Sequence, residues 1–121
     1  MHVQTEEINI GQGTGNTAKT IRVNLNHNDY DQCDAIHLEV IKGGDSPDLT
    51  IALVDSRGEI LDPVGPKFLQ AGVGVAPDDK WCTSVPFEVR DGMSLRINLN
   101  IGDPLSEDLK MYLYFRLNRD Q

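Results

Sequence analysis

The chain has 121 residues, a length that suits one two-layer domain around a single hydrophobic core and is too short for two. Apolar residues make up 39% and charged residues 25%, enough apolar surface to offset the entropy of ordering the chain, which excludes a disordered protein. A formal net charge of −8 repels phosphate backbones and argues against nucleic acid as a partner. With no run near 18 apolar residues and no signal core at residues 1–7, no membrane partner is expected either, and the virion or the cytoplasm is the expected location.

The recurring pattern along the chain is an apolar residue at every second position, the sign of a strand buried on one face. A weak candidate opens the series at residues 7–10. Ile21, Val23 and Leu25 then alternate with Arg22, Asn24 and Asn26, and Ile36, Leu38 and Val40 alternate with His37 and Glu39. Leu49, Ile51 and Leu53 carry Ala52 and Val54 on their second face, which predicts a central strand covered on both sides. Residues 59–61 and 68–75 are further weak candidates.

Val85, Phe87 and Val89 lead through Asp91-Gly92 into Met93, Leu95, Ile97, Leu99 and Ile101. Asp-Gly between alternating runs predicts a hairpin, because both positions accept the positive φ of a type I′ turn. The last run sets Leu109, Met111, Leu113, Phe115 and Leu117 against Lys110, Tyr112, Tyr114 and Arg116. One helical turn is expected at residues 106–108, where Ser106 precedes two acidic residues. Turn residues fall at 11–16, 43–47, 56–58, 63–66, 76–79 and 102–104, and helical periodicity is missing elsewhere. The expected fold class is therefore all-β: residues 1–121 as one two-sheet β-sandwich of the jelly-roll kind, with eight or nine antiparallel strands. Residues 1–5 and 118–121 are expected as flexible or partner-contacting arms.

Two segments repeat one pattern. Residues 20–26 and 94–100 both read hydroxyl, aliphatic, Arg, aliphatic, Asn, aliphatic, Asn, which puts Arg22, Asn24, Asn26, Arg96, Asn98 and Asn100 on outward faces as a candidate interface. A second candidate is the stripe Lys110, Tyr112, Tyr114 and Arg116, cationic and aromatic on an acidic protein and of the composition enriched at protein interfaces.

Residues 13–20, Gly-Thr-Gly-Asn-Thr-Ala-Lys-Thr, fit a phosphate-binding loop except that Ala18 replaces the second glycine, and residues 51–55 resemble its acidic strand. A phosphate loop needs a helix to begin there, whereas a strand begins instead, so a glycine-rich turn is the reading. The acidic and amide residues of 26–34, with Asp78, Asp79 and Asp103, offer oxygen ligands of the kind calcium takes, but their spacing matches no EF-hand. Cys33 and Cys82 form no Cys-x-x-Cys pair and read as buried or free thiols, with a disulfide as the alternative. His2, His27 and His37 are scattered, no Gly-x-Ser-x-Gly turn exists, and no pair of carboxylates is singled out for acid–base work.

These observations lead to the expectation of a non-catalytic structural or assembly protein, without cofactor or metal, in the form of a small viral capsid decoration or cement protein. Its expected partners are copies of itself, as a trimer or another symmetric oligomer, and a capsid lattice. The alternative is a carbohydrate- or calcium-binding module centred on Trp81 and residues 26–34.

Overall fold

The computed structural model describes residues 2–26, 28–42, 49–55, 57–65, 81, 86–90 and 93–119. Eight strands form and no helix appears among these residues: β1 (His2–Ile10), β2 (Thr17–Val23), β3 (Gln32–Lys42), β4 (Thr50–Asp55), β5 (Gly58–Val64), β6 (Phe87–Glu88), β7 (Leu95–Ile101) and β8 (Leu109–Asn118). They assemble into two antiparallel four-stranded sheets, ordered β1-β8-β3-β6 and β2-β7-β4-β5. The expected strand at residues 68–75, the turns at 43–47 and 76–79, and Cys82 lie outside the described residues.

Alternation decides which side chains are buried. In β8 every odd-numbered residue from Leu109 to Leu117 is buried and every even-numbered one is half-exposed; β7 buries Leu95, Ile97, Leu99 and Ile101 in the same phase. The inward residues of both sheets join in one apolar cluster, in which Ile8, Ile36, Leu38, Met111, Leu113 and Phe115 of the first sheet meet Ile51, Leu53, Ile97 and Leu99 of the second. A core shared by two sheets is the arrangement of a β-sandwich. β4 lies inside its sheet, between β7 and β5, as its two apolar faces imply, and Ala52 on the outward phase is 3% exposed.

Several expectations give way. The hairpin through Asp91-Gly92 does not form, because β6 pairs with β3 in one sheet while β7 pairs with β2 and β4 in the other. Met93 N–H donates to the Arg90 carbonyl, and Asp91 and Gly92 themselves lie outside the described residues. Alternation on either side of a turn carries no information about which sheet each run joins.

No helical turn occurs at residues 106–108; the Asp108 carboxylate accepts the Gln12 backbone N–H at 2.8 Å and is used between loops. The arm expected over residues 1–5 is, at residues 2–5, the outer half of an edge strand, in register from His2↔Leu117 to Ile10↔Leu109. At the other end Asn118 belongs to β8, and the Arg119 guanidinium donates to the carbonyls of Asn28 and Asp29 at 2.9 and 3.0 Å, while residues 120–121 lie outside the described residues.

The glycine-rich turn at residues 11–16 is anchored. Gly13 N–H donates to Leu105 C=O, Leu105 N–H to Thr14 C=O, and Asn16 N–H to Gly102 C=O, which joins this turn to the connection between β7 and β8. Gly13 at φ 83° and Asn16 at φ 50° supply the left-handed backbone the turn needs. β2 follows at Thr17 as a strand, so no helix N-terminus faces the turn.

Candidate interaction face

β8 runs inside its sheet with β1 on one side and β3 on the other, so its outward residues form the midline of a three-strand surface. Register sets the rows across it. Arg116 lies between Val3 and Ala35, Tyr114 between Thr5 and His37, Tyr112 between Glu7 and Glu39, and Lys110 between Asn9 and Lys42. The expected stripe of Lys110, Tyr112, Tyr114 and Arg116 is thereby brought onto one face, and each member is held by a neighbour.

The Tyr114 ring stacks on His37 with centroids 5.8 Å apart and an interplanar angle of 17°. Its hydroxyl donates to Glu39 at 3.5 Å, and burial first, then the Glu39 carboxylate, raises the phenol above its ordinary pKa. Tyr114 therefore stays a neutral donor. Tyr112 packs beside it at 6.4 Å and lies under Lys110 Nζ at 5.7 Å, while Lys110 also meets Glu7 at 3.8 Å. Arg116 Nε donates to Asp34 at 2.7 Å, and its guanidinium sits 5.3 Å from the centroid of Trp81. Trp81 in turn meets His37 edge-on at 6.1 Å.

Trp81 and His37 were not grouped with the stripe by sequence, since Trp81 is remote in the chain and lies in no periodic run. The β3–β8 register brings in His37, and Trp81 joins through its contacts with His37 and Arg116. Val3, 37% exposed, adds an apolar group at the Arg116 row. The face thus combines rings and cations, with Arg116 fixed between a carboxylate and an indole, on a chain that is acidic overall.

The other candidate set lies on the second sheet. β2 and β7 are neighbours and antiparallel, so the two repeated patterns run in opposite directions: Arg22 is opposite Arg96, Thr20 opposite Asn98, and Ala18 opposite Asn100. Thr20 donates to the Asn98 side chain at 3.1 Å. Asn24 and Asn26 fall beyond the end of β2; the Asn24 carbonyl accepts Gln4 Nε2, and Asn26 bonds Asp29. The expected Arg-x-Asn-x-Asn ladder is therefore not one face of six residues, and it is separated from the β8 stripe by the core between the sheets.

The acidic segment 26–34 is largely engaged within the chain. Asp29 and Asn26 bond each other, and the Asp34 carboxylate accepts Arg116 and Asn118. Among the described residues no group of three His, Cys, Asp or Glu side chains is placed to hold a metal ion. Cys33 is a free, buried thiol whose Sγ meets the Ala35 carbonyl, and burial pushes its pKa up to about 12. No helix among the described residues is long and apolar enough to cross a membrane. Comparisons with protein-family models, with curated proteins and with solved structures find no match to the chain.

Proposed function

We propose that this chain is a non-catalytic assembly protein with a jelly-roll fold, in its most concrete form a small decoration protein of a virus particle, and that it docks through the Tyr112–Tyr114–Arg116 face. The strand order supports the jelly roll. β1 pairs with β8, β2 with β7, β3 with β6 and β4 with β5, which is the pairing of one long hairpin wrapped over itself into two sheets. That architecture is used in capsid and lectin domains, so it favours two classes of role without choosing between them.

The observation that carries the choice is the geometry of the rings. A sugar platform offers rings in a common plane, whereas here Trp81 stands at 66° to His37 and Tyr112 is tilted 39° from Tyr114. Tilted rings, a braced arginine and an exposed valine suit a protein surface, where Tyr, Trp and Arg act as anchors. The edges favour a face as well. β1 presents Glu6 and Glu7, β2 presents Lys19 and Arg22, β5 contains Pro63, and β6 has two residues, features that oppose strand-to-strand addition.

The test has two arms. Sedimentation velocity across a concentration series is expected to show a closed symmetric oligomer such as a trimer, and co-sedimentation with particles built from a capsid gene encoded beside this one is expected to retain the chain. Replacing Tyr112 and Tyr114 with Ser should abolish retention while leaving the fold intact. A strict monomer that ignores such particles, or a chain with no capsid gene nearby, overturns the proposal. A glycan array gives the carbohydrate reading its own chance, with Trp81→Ala as its control.

A further inference from the structure

The outward face of the second sheet holds a feature that the docking face does not use. Arg22 and Arg96 lie directly opposite each other in the β2–β7 register. Like charges in that relation repel, and no carboxylate among the described residues pairs with either. Arg96 Nε is buried and meets no acceptor among the described residues, although a buried guanidinium N–H ordinarily has one. Both arginines line a cleft of about 330 Å³ together with Val23, Asn24, Met93, Ser94 and Leu95.

The row continues from Arg96 to Val54 and Glu59. Glu59 does not serve as counter-charge: it hydrogen-bonds Asp62, and that bond together with the like charge raises its pKa. Glu59, the one acid of the row, is thus engaged with Asp62 further along β5. On a chain of net charge −8, two unneutralised arginines beside a cleft are a local reversal of sign.

We propose that the Arg22–Arg96 cleft binds an oxyanion group, phosphate or carboxylate, held by both guanidinium groups. Planar guanidinium forks present paired N–H groups to two oxygens at once, which a chloride ion cannot use equally. The two sources of an oxyanion are separated by probe: inorganic phosphate in one titration and succinate in another, each against sodium chloride at equal ionic strength. Following the Arg Nε–H resonances by NMR, one of the two probes is expected to shift the Arg96 signal saturably with one site per chain.

Arg96→Gln should weaken that binding by about tenfold or more, as the loss of one charge-assisted contact implies. Arg22 is exposed, so Arg22→Gln keeps the fold and should weaken binding as well. Lys19→Gln, on the same strand but outside the cleft, should bind as the parent does. The proposal is overturned if neither probe saturates by about 10 mM, if chloride shifts the Arg96 signal equally, or if Arg22→Gln binds as tightly as the parent.

Discussion

Cys33 and Asp55 are two groups whose burial has chemical consequences. The Cys33 thiol is fully covered, and its folded pKa of about 12 lies well above the ordinary cysteine value near 8.5. A folded state that keeps its proton to higher pH gives a contribution that is complete below about pH 8.5 and is lost as pH climbs toward 12. Melting temperature should therefore fall less steeply with alkaline pH in Cys33→Ala than in the parent, and equal slopes would refute this. Asp55, 6% exposed, accepts both Arg90 Nη2, at 3.0 Å, and the Arg57 backbone N–H. Arg90→Met removes the countercharge and leaves the carboxylate buried, which should cost about 3 kcal/mol in urea unfolding. A loss below about 1 kcal/mol, the scale of a surface ion pair, would show that the pair is solvated. Glu59 is exposed and its pKa is raised by Asp62, so its sign is opposite to that of a carboxylate stabilised by a salt bridge. The contribution is present in acid and lost as pH rises through the folded pKa. Glu59→Gln should raise the melting temperature near neutral pH and leave it unchanged in acid.

Within the elements, the turn at residues 11–16 shows how a loop can be held by its neighbour's backbone. A Cβ added to Gly15 would lie 2.6 Å from Pro104 Cα and N, atoms that belong to the partner loop and cannot rotate away. Gly15→Ala should destabilise by about 2 kcal/mol, while Gly11→Ala, whose Cβ meets nothing within 4 Å, should be close to neutral in the same thermal-melt series. The elements also show what sequence could disclose. β8 and β7 were legible because each alternates without interruption across a half-buried environment. Only the last residues of β1 were legible, since Gln4 and Glu6 stand where apolar residues would mark the inward phase, and Gln4 is instead tied to the Asn24 carbonyl. β3 carries a register shift between Cys33 and Ala35, and a bulge of that kind breaks strict period two. β6 is too short to show any period. The stripe of the candidate face was legible from β8 alone, whereas Trp81 and His37 joined it only through tertiary pairing, which no local pattern encodes.

For the whole molecule, the pairing pattern governs how the chain must fold. Among the described strands only β4 and β5 are consecutive neighbours; every other pairing joins segments distant in sequence, and β1 with β8 joins the two ends. The β4–β5 hairpin, closed by Asp55↔Gly58 with Gly58 at φ 128°, is thus the one local nucleus among the described residues, and it lies in the sheet that does not contain β1 and β8. Loop closure must be met before the remaining contacts stabilise, so refolding should take milliseconds to seconds, as in other proteins dominated by non-local strand pairs. Both sheets share one core, so neither can persist without the other. The single tryptophan, Trp81, reports on the β3–β8 face, and far-UV circular dichroism reports on all strands. Equilibrium unfolding followed by the two signals should therefore coincide in midpoint and slope. If fluorescence were lost well before the dichroism, the first sheet would be melting on the second, and the shared core would not be the unit that holds the molecule together.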